Sequence, residues 1–317
     1  MFYVDSRSMA KKENYLRTLV NLWAAKGFEE GRALIAGGLI RTKDEEYMLF
    51  IMWSHLIMDA LSLGRLKREL FDDGCLTDDS IAVRSCYGTM ERLRAEADRY
   101  WACMTGVEKT LFRPGRTEEL PSGEGLMVHT TWISKADTGK ILAYCRRSKV
   151  TVATYIHAAF GRVICEFTRK DRACFFTTAD GRPDILTADN ELFGMFACGF
   201  PFIYEKDTEL SRIQLQLARS REYGWAYRYP ERTEGGFVLD IQPPQVAGTD
   251  LIVTDLTPFA EAETAKIIRR SSKEARVCVM TGDRIRIVCM YESRRFGNET
   301  VISFVNRLVR NMRRDDE

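Results

Sequence analysis

Residues 46–62 read EYMLFIMWSHLIMDALS, and this stretch decides the fold prediction. Its first eight residues form a near-continuous apolar run, which is typical of a buried strand. A helical period resumes at Leu61–Phe71, after a short interval that contains His55 and Asp59. The sequence therefore predicts a strand–turn–helix junction, a setting in which side chains of the turn can emerge into a cleft.

The rest of the chain alternates helical and extended patterns irregularly, which predicts a mixed α/β fold with antiparallel pairing. Further helices are predicted at Ser8–Lys26, Ser85–Thr105, Lys135–Ser148, Thr151–Phe167, Leu210–Tyr223 and Asn298–Met312. Extended segments are predicted at Ala33–Arg41, Val128–Ile133, Cys174–Thr178, Phe237–Ile241, Arg276–Met280 and Arg284–Tyr291, the last two as a hairpin.

One stretch, Phe112–Gly125, is rich in proline, glycine and charge, and it indicates a linker. We therefore expect a first lobe over residues 1–112, a linker over residues 113–127 and a second lobe over residues 128–317.

Composition narrows the class of protein. The 317 residues carry a net charge of +2 from 47 basic and 45 acidic side chains, whereas a nucleic-acid binder usually shows a concentrated basic excess. The nine cysteines are scattered and include no CxxC pair, which argues against a disulfide framework and a zinc site. No apolar run approaches the roughly 18 residues that span a bilayer. We expect a cytoplasmic protein that binds neither nucleic acid nor membrane.

The three histidines have different settings in the sequence. His157 lies within a predicted helix and His129 at the start of a predicted strand, so both are interpreted as structural. His55 stands at a strand end, four residues before Asp59. Taken alone, this pair is also consistent with a turn histidine and a helix-capping aspartate.

The segment Ser54–Ala60 resembles the HHxxxDG active-site motif of nonribosomal peptide synthetase condensation domains, whose fold is shared with chloramphenicol acetyltransferase. It reads SHxxxDA, with His55 at the second histidine and Asp59 at the aspartate. Other segments resemble family elements in the family's order: Phe28–Arg41, Tyr100-Trp101 with Gly106, Thr151–Phe160, Asp180–Pro183 (compare SGRP), Phe193–Phe196 with Pro201 (compare GxFVNTLP), and Met290–Phe296.

The resemblance implies two chloramphenicol-acetyltransferase-like lobes with mixed sheets flanked by helices. Because the family's first two motifs normally lie upstream of anything in this sequence, we expect the first lobe to be incomplete. In the family the second histidine matters for catalysis, which gives that role to His55. Asp59 would support the active-site loop by pairing with Arg182. The lining of the active site and tunnel would include Ser54, Ala60, Gly194, Phe196 and Cys198.

The implied activity is formation of an amide or ester from a thioester on a carrier protein. No metal or other cofactor is expected, because the substrates would arrive on the phosphopantetheine of a carrier protein or on CoA. The expected partners are a peptidyl or acyl carrier protein and a second chain or dimer partner that completes the first lobe.

Three departures from the family pattern keep two alternatives open. Ser54 replaces the first histidine, Ala60 replaces the glycine and Cys198 replaces a later asparagine. The alternatives are a stand-alone acyltransferase that uses acyl-CoA and a catalytically inactive condensation-like module.

Overall fold

The computed structural model describes residues 2–8, 33–54, 56–73, 78–103, 126–182, 192–227, 237–242, 275–293 and 296–313. These residues fall into two compact units. The first contains residues 2–73 of the described ranges together with residues 193–195, and the second contains the others.

The first unit is built on a three-stranded sheet, followed by a helix. Strand β1 (Phe2–Asp5) pairs in parallel with β2 (Ile35–Lys43), which pairs antiparallel with β3 (Glu46–Trp53). Helix α1 (Ala60–Arg68) follows and continues into a single π-helical turn, Glu69–Asp73. The predicted strand over residues 46–53 is confirmed with the same bounds, whereas its predicted burial is wrong at its start, where Tyr47 and Met48 are 50% and 43% exposed.

The second unit is built on a six-stranded mixed sheet with the strand order β4-β9-β8-β7-β5-β6. Its central strands β5, β7 and β8 run parallel, and the remaining pairs are antiparallel. In chain order the strands are β4 (Leu126–Trp132), β5 (Arg172–Asp180), β6 (Ala197–Glu205), β7 (Phe237–Gln242), β8 (Ala275–Met280) and β9 (Arg286–Glu292).

The described part of the second unit also contains five α-helices: α2 (Ser80–Ala102), α3 (Lys135–Arg147), α4 (Val152–Thr168), α5 (Leu210–Glu222) and α6 (Asn298–Arg313). Side-chain caps begin two of them. The Ser134 hydroxyl accepts from the Asp137 amide at 3.0 Å, and the Thr151 hydroxyl accepts from the Thr154 amide at 3.1 Å. Each cap satisfies an amide that has no partner inside the helix. The cap predicted at Thr151 is confirmed.

The main core lies between one face of this sheet and helices α3, α4 and α6. Helix α4 is buried on nearly every side, which explains its apolar sequence. Its Phe160 ring lies 4.8 Å from Phe175 on β5 and 5.1 Å from Phe304 on α6. The mixed α/β fold with helix-flanked sheets is therefore confirmed.

The predicted lobe boundary differs from the observed division. Helix α2, predicted as Ser85–Thr105 within the first lobe, begins at Ser80 and belongs to the second unit. The physical reason is its aromatic end: the Trp101 indole donates to the Tyr223 carbonyl at 2.7 Å and packs 5.8 Å from the Phe200 ring. The units therefore divide before α2 rather than at residues 112 and 113.

Two sequence predictions lie wholly or largely outside the described residues. Of the predicted helix Ser8–Lys26, every residue after Ser8 lies outside the described ranges. Of the predicted linker 113–127, residues 113–125 lie outside them. The last two residues of that linker, Leu126 and Met127, belong to β4. No described helix is long and apolar enough to cross a membrane.

His157 is a packed histidine on α4, as its position in the sequence indicated. Its Nδ1 lies 2.7 Å from the Ala153 carbonyl, which can only accept, so Nδ1 carries the proton. Its Nε2 then accepts from the Thr177 hydroxyl at 2.9 Å. Burial lowers the pKa of His157 to about 4, and the ring is neutral at physiological pH.

An added methyl group is expected to have opposite effects on stability at two glycines that lie within helices. At Gly161 on α4 the methyl would overlap Tyr204, whereas at Gly139 on α3 it would meet no described heavy atom within 4 Å outside its immediate helix surroundings. We expect Gly161→Ala to lower the free energy of unfolding by about 1–3 kcal/mol through overpacking. Gly139→Ala should raise it by about 0.5–1 kcal/mol through helix propensity. Denaturant titration measures both, and equal effects would contradict the packing of α4.

The low pKa of His157 predicts a specific loss of stability in acid. The unfolded state binds a proton below pH 6.5, while the folded state resists protonation down to about pH 4. Stability that is present above pH 6.5 should therefore fall by about 2 kcal/mol by pH 5. His157→Gln should be less stable at pH 7.5 but should lack this part of the pH dependence. Parallel pH profiles for wild type and variant would contradict the assignment.

Candidate active site

The sequence motif lies on a tight turn that follows β3. The Ser54 amide donates to the Leu34 carbonyl at 2.8 Å, which continues the sheet pairing to the first motif position. The Ser54 hydroxyl accepts from the Leu56 amide at 3.2 Å, and its carbonyl accepts from the Ile57 amide at 3.1 Å. His55 itself lies outside the described residues. Its two neighbours in sequence are thus fixed by local hydrogen bonds.

Asp59 begins helix α1 and is almost fully buried, with 3% of its surface exposed. Its Oδ1 accepts from the Ser62 amide and from the Ser62 hydroxyl, each at 3.0 Å. This is an N-cap, and a negative charge at the start of a helix is also favoured by the helix dipole. The interpretation of Asp59 as a helix-start residue is therefore confirmed. Both of these bonds go to Oδ1, so the cap is compatible with a charged partner at the other carboxylate oxygen.

Ser62 connects this cap to Gly194, a residue far away in the sequence. The Gly194 amide lies 2.9 Å from the Ser62 hydroxyl, and the Gly194 carbonyl lies 2.8 Å from the same oxygen. That carbonyl also accepts from the Asp59 amide at 3.3 Å. Sequence reasoning selected Gly194 as lining and overlooked Ser62. The Asp59-x-x-Ser62 spacing, which is that of a capping pair, was the available signal.

Arg182, the predicted partner of Asp59, is 2% exposed in the second unit. Its Nη1 donates to Asp180 Oδ1 at 2.8 Å, and Nε and Nη2 donate to the Leu192 carbonyl at 2.9 and 2.6 Å. Its Cζ lies 4.7 Å from the centroid of the Phe196 ring. Asp180 opens the same motif turn but was not predicted as a partner. Since Asp59 and Arg182 belong to different units, their pairing stays a prediction.

Phe196 and Cys198, predicted to line the tunnel, have packing roles within the second unit. Phe196 is buried in a cluster with Cys86, Met90 and Leu192, and it stacks 5.5 Å from the Tyr87 ring. Cys198 packs against the cluster that contains Phe200, and its sulfur would lie 2.6 Å from a methyl group added at Gly224. A role of either side chain in lining a tunnel stays a prediction.

The Cys198 thiol is not an activated nucleophile. Burial, and to a lesser extent Asp180, raises its pKa to about 12, so it is protonated at neutral pH. Among the residues that the structure describes, no group of three His, Cys, Asp or Glu side chains is placed to hold a metal ion.

Comparisons with known proteins show relatives of one kind. No family model matches the chain. Bacitracin synthase 1 of Bacillus licheniformis is 24% identical over 240 residues, which cover 68% of this chain and 4% of the relative. Bacitracin synthase 3 of the same organism is 22% identical over 245 residues, which cover 71% of this chain and 4% of the relative. The chain thus spans only a small fraction of the length of these relatives.

Solved structures extend the similarity to the whole fold. The epimerization domain from the third module of tyrocidine synthetase B matches with a TM-score of 0.70 at 13% identity, over 98% of this chain and 78% of that one. A variant of the starter condensation domain of rhizomide synthetase, in complex with C8-CoA, matches with a TM-score of 0.65 at 15% identity, over 99% and 76% of the two chains.

The curated relatives are peptide synthetases, and the structural neighbours are condensation and epimerization domains with the chloramphenicol-acetyltransferase-like fold. The described elements agree with that fold in both units. This chain therefore has the chloramphenicol-acetyltransferase-like fold of condensation and epimerization domains, and its relatives in sequence are nonribosomal peptide synthetases.

Proposed function

We propose that the chain transfers an acyl group from a thioester to an amine or alcohol, with His55 at the reacting centre. The observation that carries the proposal is the hydrogen-bonded motif turn, in which Ser54 and Leu56 are fixed on either side of His55 in the sequence. Asp59 and Ser62 anchor the helix that follows. Fixed residues on both sides of the motif histidine in the sequence are what the positioning of a reacting group requires.

The chemistry needs a positioned base more than a protein nucleophile. A thioester carbonyl is the electrophile, and the attacking amine must lose a proton as the new bond forms. An imidazole with a pKa near 6.5 can accept or orient that proton at working pH. The high pKa of the Cys198 thiol is consistent with direct transfer and no acyl-cysteine intermediate at that residue.

The donor is proposed to be an acyl group on the phosphopantetheine of a peptidyl or acyl carrier protein. The peptide-synthetase relatives support this partner. A CoA thioester is the second candidate, because the rhizomide synthetase neighbour was solved with C8-CoA. Neither donor requires a metal or cofactor held by this chain.

His55→Ala should lower the rate of acyl transfer by roughly 10²–10⁴-fold if His55 accepts or orients the proton. The assay offers an acyl-carrier protein or an acyl-CoA to a panel of amines and alcohols, and mass spectrometry measures the product. His129→Ala is the matched control and should leave the rate unchanged, because His129 lies outside the motif and its Nε2 has a local partner on β4, the Thr131 hydroxyl at 3.2 Å.

Equal turnover by wild type and His55→Ala would remove His55 from the mechanism. If wild type transferred nothing from either donor across the panel, the activity proposal would be wrong and the inactive-module alternative would stand. Chiral chromatography of the hydrolysed product measures the configuration of the aminoacyl group, because one structural neighbour is an epimerization domain.

Asp59→Asn tests the predicted pairing with Arg182. Asparagine caps a helix as well as aspartate does, so the cap itself should survive. Loss of the charge from a buried pair should lower the free energy of unfolding by about 3 kcal/mol. A double-mutant cycle with Arg182→Met should then give a coupling energy of about 1 kcal/mol or more. Additive effects of the two substitutions would show that the carboxylate and the guanidinium do not interact.

A further inference from the structure

A cationic cluster, Trp132, Arg284 and Arg286, lies at one edge of the six-stranded sheet. Trp132 ends the edge strand β4 and is paired in register with Arg286, which begins β9. The guanidinium carbons of Arg284 and Arg286 lie 5.0 and 5.1 Å from the centroid of the indole ring. Two positively charged groups therefore lie close to the same indole ring.

Neither guanidinium of the cluster is neutralised within the described chain. The Arg284 Nε donates to the Ile133 carbonyl at 3.4 Å, and the Arg286 Nε is buried without a hydrogen-bond partner among the described residues. Asp283, the adjacent carboxylate, pairs with Lys135 at 3.3 Å. Other arginines of the second unit do have carboxylate partners: Arg182, Arg221, Arg276, Arg307 and Arg313.

The cluster is open to solvent at one end and closed at the other. Trp132 is 47% exposed, and Arg284 is exposed as well. Ile285, directly before Arg286, is fully buried, and Val288, two residues after Arg286 on β9, is almost fully buried. A ligand can therefore reach the indole and the Arg284 guanidinium from outside, while Arg286 is half-buried beside them on β9.

We propose that the cationic cluster binds a phosphate ester. A guanidinium presents a planar fork of donors that matches phosphate oxygens, and charge-assisted hydrogen bonds of this kind are strong. A phosphate monoester carries a charge of about −1.5 to −2, which matches the two arginines. The exposed indole offers a surface for the part of the ligand next to the phosphate.

The phosphate could belong to the pantetheine arm, where it is a diester with a single negative charge on a carrier protein, or to the nucleotide of CoA, whose 3′-phosphate is a monoester. Both sources present phosphate oxygens that a guanidinium fork can bind. The inference goes beyond the proposed acyl transfer, because it concerns binding alone and needs no turnover. A chain that bound phosphate esters without transferring acyl groups would keep the cluster proposal and refute the proposed function.

Calorimetric titration of the full chain at low salt tests the proposal with CoA, 4′-phosphopantetheine, adenosine 3′,5′-bisphosphate and unphosphorylated pantetheine. We expect at least one phosphorylated probe to bind about tenfold or more tightly than pantetheine, since a charged hydrogen bond contributes that much. Tight binding of 4′-phosphopantetheine assigns the site to the pantetheine arm. Tight binding of the bisphosphate and CoA only assigns it to the nucleotide.

The double substitution Arg284→Gln with Arg286→Gln should weaken that binding at least tenfold. Arg172→Gln is the matched control, because it removes an exposed arginine on β5, away from this edge, and should leave the affinity unchanged. Circular dichroism checks that the variants fold, and Arg286→Lys, which keeps the charge but not the fork, should give an intermediate affinity. Equal affinity of wild type and the double variant, or no preference for phosphorylated probes, would overturn the proposal.

Discussion

A buried carboxylate must have hydrogen-bond partners, and this requirement organises the motif region of the first unit. Asp59 receives two such bonds from Ser62, whose hydroxyl also meets both polar backbone groups of Gly194. One serine side chain thus joins the start of α1 to a segment 132 residues away. Without partners the carboxylate would carry a large desolvation cost, so the turn, the cap and the distant glycine are constrained together.

The elements that sequence reasoning predicted well are those with one dominant local signal. The apolar run of β3 gave correct bounds, and the hairpin predicted from Arg276–Met280 and Arg284–Tyr291 is confirmed by the antiparallel strands β8 and β9. Strand β6 was not predicted as a strand. It contains Gly199 and Pro201, which weaken the strand signal, and it is an edge strand, where proline is tolerated. Strand β1 has only four residues, too few to show a period.

The candidate site was predictable only as far as local spacing and family resemblance extend. The Asp59 cap follows from its place before α1, whereas the Ser62–Gly194 contact depends on how distant segments fold together. The membership of α2 in the second unit likewise depends on contacts between segments that are distant in the sequence. The amphipathic pattern of α2 shows that one face is buried but not which sheet buries it. Trp101 contacts Phe200 and Tyr223, which lie more than 90 residues later in the sequence.

The pairing of β4 with β9 has a consequence for how the second unit folds. Leu126–Trp132 pairs with Arg286–Glu292, so this edge of the sheet closes a very long segment of chain. Such non-local pairing slows folding, because the loop-closure entropy is lost before the contacts form. During synthesis β4 leaves the ribosome well before β9 exists. Its unpaired backbone is then an exposed strand edge, which makes β4 the segment of this sheet most in need of protection from aggregation until translation passes residue 292.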